Sequence, residues 1–202
     1  MPLLSDPIYT IGHSDHLIEN FVELLIRHDI TAVCDVRSVP YSRRNPQFNR
    51  EPLRNELRYH GVEYIFLGEE LGARTKDPSC YRNGKVQYGL LSQTTLFRRG
   101  LERVRKGLEK FRIALMCAEK DPIQCHRTIL VARNLMAEGV PVRHILSTGE
   151  IQSQEQVEER LLDSLNMSSS DLFRSRDEMI RDAYRMQGNA IAIQLISDES
   201  DG

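Results

Sequence analysis

The sequence predicts an α/β protein: a mostly parallel, five-stranded sheet flanked by helices, with a helical extension at the C-terminal end. Three observations predict it. Short apolar runs bounded by turn residues recur through the first 150 residues. Helix-period stripes separate those runs. After Ser147 only helical patterns remain. Strands that alternate with helices read as a parallel sheet, because parallel neighbours need a crossover.

Residues 8–11 read as a short buried strand, broken by Gly12-His13-Ser14. Ser14 or Asp15 can cap a helix whose apolar stripe is Leu17, Ile18, Phe21, Val22, Leu24 and Leu25. Residues 32–36 form the second strand, which completes a βαβ unit with a right-handed crossover. A polar loop holding Pro40 and Pro46 follows. Pro52 suits the first turn of a short helix stopped by Gly61. Residues 62–67 are the third strand. The stretch 68–89 reads as a long loop, and loops of that length are usually functional. Residues 92–110 are helical, 113–116 are strand four, 125–138 are helical and 142–146 are strand five. Helices near 154–165 and 171–187 complete the chain, with Ser168-Ser169-Ser170 as linker or cap. The sheet is Rossmann-like in this reading. Residues 1–150 form the α/β domain, and 151–202 are a helical extension packed on it.

Composition narrows the function classes. Of 202 residues, 40% are hydrophobic and 28% charged, with a net charge of −2, so no global basic field points to nucleic acid. No apolar run approaches the ~20 residues of a membrane span, and the first residues lack the pattern of a secretory signal. Four sparse cysteines imply a reduced, cytoplasmic setting. Oligomeric state is left open.

Parallel sheets bind ligands at the C-terminal ends of their strands. Three polar clusters fall there: Gly12-His13-Ser14, Asp35-Val36-Arg37, and "CAEKDPIQCHR" at 117–127. In the third, Cys117 and Glu119 end a strand, while Cys125, His126 and Arg127 enter the next helix, whose amides and dipole favour anions. A cysteine there has reason to be acidic. Asp121-Pro122 also resembles a cap and first helical residue, which would put Cys125 a turn further in. Bland readings stand beside these. Cys117 and Cys34 fit the core, and Cys125 fits either role. Asp35 can pair with Arg37 simply to tie loops together.

Several chemistries lack support. Cys117-x7-Cys125-His126 does not match the two-to-four residue spacing of common zinc sites, so no metal is expected. No cysteine stands at phosphatase-loop spacing from Arg127. There is no GxGxxG or GxxxxGKS, so no dinucleotide or other cofactor is expected.

The segment "DVRSVPYSRRNPQFNREPLRNELR" is locally basic: six arginines and two glutamates lie between Arg37 and Arg58. Tyr41 and Phe48 interleave with Arg43 and Arg44, a pattern that suits phosphate contacts plus base stacking. A solvated loop with local ion pairs is the competing reading.

At these residues the sequence resembles the family called domain of unknown function 488. The matching stretches are "TIGHS" at 10–14, "DVRSVPYSRRNPQFN" at 35–49, "YIFLGEELGAR" at 64–74 and "CAEKDPIQCHR" at 117–127, with "DLFRSRDEMIRDAYRMQGNAIA" near the end. The resemblance spans nearly the whole chain. It implies a compact α/β domain and carries no assigned reaction.

The residues together suggest an enzyme of hydrolase or transferase type acting on a phosphate-bearing substrate: a nucleotide, DNA or RNA. Arg37, Arg43, Arg44 and Arg127 would hold phosphate, with Ser14, Tyr41 and Phe48 completing the substrate site. Asp35 or Glu119 would act as base, His13 or His126 as proton-transfer partner, and Cys125 as a possible nucleophile. The alternative is a non-catalytic nucleic-acid or nucleotide-binding module that uses the same arginines.

Overall fold

The computed structural model describes residues 6–167 and 174–194. Its centre is a six-stranded sheet. The strands, in chain order, include β1 (Ile8–Gly12), β2 (Ala32–Asp35) and β3 (Glu63–Phe66). A small hairpin supplies β4 (Tyr81–Arg82) and β5 (Lys85–Val86). The main sheet resumes with β6 (Ile113–Cys117), β7 (Val142–Ile145) and β8 (Ile151–Ser153). The main-sheet order is β3-β2-β6-β1-β7-β8. Five strands are parallel, and β8 runs antiparallel to β7 at the edge.

The sixth strand departs from the five read in the sequence. It is three residues long and follows a tight turn at Gly149, whose φ of 86° lies in the left-handed region. A strand so short shows no alternation to read. Residues 151–153 therefore belong to the sheet and not to the helical extension.

Helices cover both faces. On one side α1 (Ile18–Arg27) and α2 (Arg50–Tyr59) bury Phe21, Leu25, Leu53 and Leu57 against Tyr9, Ile11, Val33 and Met116. On the other, α5 (Thr95–Leu108) and α6 (Arg133–Ala137) bury Phe97, Leu101, Val104 and Leu135 against Ile113, Leu115 and Cys117. Successive β6 residues thus face opposite layers, as the two-residue strand period requires. The α1 helix is not capped by Ser14 or Asp15; its N-cap is Leu17, which makes no side-chain cap bond. Ser14 itself has a φ of 48°, and its hydroxyl bonds Asp15. Thr94 does cap α5, accepting from the Phe97 amide.

The 68–89 stretch is more structured than a loop. It forms α3 (Gly68–Leu71), the β4–β5 hairpin and α4 (Tyr88–Leu91). Short helices and two-residue strands give no periodic signal. Beyond the sheet, α7 (Gln154–Ser164) and α8 (Arg176–Ile191) each begin with a capping box, at Ser153 and Ser175. They pack Val157, Leu161, Met179, Ala183 and Tyr184 against Ile123 and Ile129, forming a third apolar cluster. The expected helix start at Asp171 and the Ser168–Ser170 linker lie outside the described residues.

Candidate functional site

The three central strands bring the polar clusters side by side. In the sheet register Gly12 stands beside Cys117, and Asp35 beside Met116. The His13 and Ser14 amides extend this edge by donating to the Cys117 and Ala118 carbonyls, each at 2.9 Å.

Two networks occupy the edge. The first is an ion pair with its supports. Arg37 donates from Nε to Asp35 Oδ1 at 2.9 Å and from Nη2 to Oδ2 at 2.6 Å. Nη2 also donates to the Phe48 carbonyl at 2.8 Å, and Tyr64 donates its hydroxyl to Asp35 Oδ2 at 2.7 Å. His13 closes the network. Its Nδ1 lies 2.9 Å from the Ser14 carbonyl, which can only accept, so Nδ1 carries the proton. Nε2 then accepts from Arg37 Nη1 at 3.1 Å. Burial, and then the Arg37 charge, lower the His13 pKa to about 4. At neutral pH His13 is a neutral, doubly engaged ring.

The second network is built from cysteine, glutamate and histidine. Cys117 ends β6. The chain then turns through Asp121, which caps the 3₁₀ turn Pro122–Gln124 by accepting from the Ile123 amide. That turn returns Cys125 and His126 to the end of the strand. A π-helical turn, Arg127–Ala132, follows and leads into α6; such turns recur at functional sites. The expected continuous 125–138 helix is therefore a composite, and Cys125 precedes its first turn.

One ligand atom from each of Cys117, Glu119, Cys125 and His126 lies within 4.8 Å of the others. Glu119 Oε2 is 3.0 Å from both sulfurs. His126 Nδ1 is 3.6 Å from Cys117 Sγ and 4.0 Å from Cys125 Sγ. Cys117, Cys125 and His126 are buried; Glu119 is exposed as a residue, and its carboxyl contacts both sulfurs. A chain separation of eight residues thus places no limit on a shared metal site, because the turn closes it. Among the described residues, these four are the group whose ligand atoms lie close enough together to hold a metal ion.

The electrostatics are coupled. Burial opposes charge on both thiols. Cys125 is nonetheless held well below the ordinary thiol range by the Cys117 hydrogen bond, Arg127 and His126. Cys117 is pushed well up by that same bond, by burial and by the charges of Cys125 and Glu119. Burial, then the Cys125 charge, raises Glu119. For His126, burial acts downward, but the Cys125 bond and charge outweigh it and raise the pKa.

Arg127 is fully buried. It donates from Nη1 to the Glu119 carbonyl at 2.6 Å and from Nη2 to the Lys120 carbonyl at 3.2 Å. It braces the 119–120 loop from inside and has no surface to offer a phosphate.

A family model matches residues 17–134, more than half of the chain. The chain belongs to the family described as domain of unknown function DUF488. No curated protein and no solved structure matches it. The DUF488 match takes in both networks except His13 and Ser14, which precede it.

In this DUF488 chain several expected substrate contacts are unavailable. Phe48 cannot stack a base: it is fully buried, stacked on His13 at 4.3 Å and edge-on to Phe21 at 5.2 Å. The 3₁₀ turn Pro46–Phe48 aims its ring inward. Arg37 spends its donors on Asp35, Phe48 and His13. Tyr41, Arg43 and Arg44 do remain exposed. Their loop is held at the ligand edge by Asn45 Nδ2 donating to the Ser14 carbonyl at 3.2 Å and Gln47 Nε2 donating to the His16 carbonyl at 3.2 Å.

Two clefts were missed in the sequence. One, of about 1080 Å³, runs from Ser38 and Gly68 past Arg74, Lys76 and Arg82 to the start of α5. The other, of about 1050 Å³, is lined by Tyr88, Ile129, Arg133 and α8 residues. Neither includes a cluster side chain. The first opens two residues beyond Val36, whose carbonyl meets His126. Tyr88 of the second is pushed up by burial and then by the Cys125, Cys117 and Glu119 charges. The signal for both was the long 68–89 stretch, which lines part of each.

Proposed function

We propose that this DUF488 protein is an enzyme of hydrolase or transferase type acting on a phosphate-bearing substrate, with Cys117, Glu119, Cys125 and His126 as its reaction centre. One observation carries the reading: four chemically competent groups lie within 4.8 Å at the ligand edge of a parallel sheet. Such a gathering is costly for a core that needs only apolar packing. Glu119 is the proton-transfer group, since it is the exposed member of the cluster and its carboxyl contacts both sulfurs. The cleft lined by Arg74, Lys76 and Arg82, together with Glu69 and Asp77, receives the anion, and the exposed Tyr41, Arg43 and Arg44 offer further contacts. Ser14 shapes the edge through its backbone. Asp35, Arg37 and His13 act as a frame for the site. Nucleotides, single-stranded DNA and RNA are the substrate classes with this chemistry.

No described helix is long and apolar enough to cross a membrane. Four free, buried thiols suit a reducing, cytoplasmic setting.

The test is turnover of mononucleotides, single-stranded DNA and RNA by the reduced full-length protein. The expected result is product formation that Glu119→Gln depresses in kcat by ~100-fold or more, while Arg74→Ala with Lys76→Ala raises KM. Salt-sensitive binding without turnover of any probe would return the chain to the non-catalytic binding module.

A further inference from the structure

We propose that Cys117, Cys125 and His126 bind one zinc ion through Sγ, Sγ and Nδ1, with the Glu119 carboxylate as a fourth, exchangeable ligand. The inference deepens the reaction-centre reading and uses the same side chains, but binding can be measured apart from turnover.

Three features carry it. The first is spacing. With Zn–S near 2.3 Å and Zn–N near 2.0–2.1 Å, ligand atoms on a tetrahedron stand roughly 3.5–3.8 Å apart. Of the His126 Nδ1 separations from the two sulfurs, 3.6 Å falls within that range and 4.0 Å lies just above it. Glu119 Oε2, at 3.0 Å from both sulfurs, would withdraw by roughly half an ångström to reach tetrahedral spacing. Glu119 is the exposed member of the four, so its side chain can shift without repacking the core.

The second feature is tautomer. His126 Nε2 lies 2.9 Å from the Val36 carbonyl, which can only accept a hydrogen bond. In the neutral ring the proton therefore sits on Nε2, and the Nδ1 lone pair faces the two sulfurs. A backbone carbonyl orienting the far nitrogen is the arrangement usual for metal-bound histidine.

The third is charge. Arg127 is fully buried and makes no carboxylate ion pair among the described residues; its guanidinium meets only carbonyl oxygens. Two thiolates, a carboxylate and a divalent ion sum to −1, which Arg127 neutralises. The Arg127 amide also points to Cys125 Sγ at 3.5 Å. Two sulfurs with an imidazole select zinc over magnesium or calcium. Three fixed ligands with one that can leave are also the pattern of catalytic zinc, where the fourth position takes water or substrate.

The experiment uses reduced, chelator-stripped full-length protein. Zinc is titrated against a chromophoric chelator, and cobalt(II) is added separately as a spectroscopic probe. One equivalent of zinc should bind more tightly than about 1 µM, well within the range of protein zinc sites. Cobalt should give a thiolate charge-transfer band with intense tetrahedral d–d bands. Cys125→Ser should weaken zinc by at least ~100-fold and diminish the charge-transfer band. Glu119→Gln, at a residue outside the packed core, should weaken zinc by roughly 10-fold and keep that band. Cys34→Ala and Cys80→Ala should change neither. If Cys125→Ser does not fold, the wild-type cobalt spectrum and Glu119→Gln still decide. Absence of stoichiometric zinc, a cobalt spectrum without thiolate charge transfer, or loss of binding in the Cys34 and Cys80 variants instead would overturn the site. Stoichiometric zinc without turnover of any probe supports the metal site and removes only the enzyme reading; turnover without zinc does the reverse.

Discussion

Arg127 Nη1 donates to the Glu119 main-chain carbonyl at 2.6 Å while the Glu119 carboxyl reaches both cluster sulfurs. One residue is thus pinned through its backbone and presents its side chain to the site. Gly12 makes room for this. A Cβ there would overlap the Glu119 carbonyl oxygen and stand 3.3 Å from Arg127 Nη1. Gly12→Ala should therefore destabilise the fold by about 1–3 kcal/mol and displace Glu119. Urea denaturation reads the first effect, and an unchanged midpoint would mean that the loop has slack.

The Asp35–Arg37 pair should behave as a buried frame. Asp35→Asn leaves the Arg37 guanidinium without its counter-charge and should cost about 3–5 kcal/mol. Thermal or urea unfolding measures it. A loss within the range of surface substitutions, about 0.5 kcal/mol, would show that Arg37 finds another partner or water.

Phe48 and its neighbouring arginines should separate cleanly. Phe48→Ala removes a fully buried ring and should cost about 3–5 kcal/mol of stability. Arg43→Ala with Arg44→Ala should leave stability nearly unchanged and reduce the salt dependence of polyanion binding. If Phe48→Ala instead left stability intact and selectively weakened single-strand binding, its buried placement would be contradicted.

His144 supplies a pH dependence. Its ring bridges Thr10 Oγ1 at 2.9 Å and Gln154 Oε1 at 2.8 Å, and burial lowers its pKa to about 4. The unfolded chain, with a histidine pKa near 6.5, binds the proton more readily. The contribution is complete above about pH 6.5, falls as pH drops and is lost below about pH 4, amounting to about 3 kcal/mol. His144→Gln should flatten this part of the stability profile. An unaltered slope between pH 6.5 and 4 would assign it to other groups.

Much of this architecture was legible because apolar runs and helix stripes report burial directly. The five parallel strands are of that kind. Segments that resisted reading were too short for a period to show, as with Ile151–Ser153 and the β4–β5 hairpin. At the site, Glu119, Cys125 and His126 were visible as reactive groups beside a strand end. Cys117 read as a core residue, and it does share a face with Ile113 and Leu115; only the returning turn at Asp121-Pro122 makes it a partner of Cys125. Phe48 and Arg127 were misjudged for a common reason. Composition marks a segment as basic or aromatic, but it does not say which side chains point inward.

The central claim is that an anionic substrate reaches the Cys117–Glu119–Cys125–His126 cluster. Its most direct test is iodoacetamide alkylation of the metal-free, reduced full-length protein, quantified at each cysteine by peptide mass spectrometry, with and without saturating mononucleotide or single-stranded oligonucleotide. The account predicts that at least one of these ligands slows modification of Cys125 while modification of Cys34, which pairs with Leu115 within the sheet and lies outside the four-residue cluster, is unchanged. Alkylation of Cys125 at the same rate under every ligand, in protein shown to bind that ligand, would contradict it.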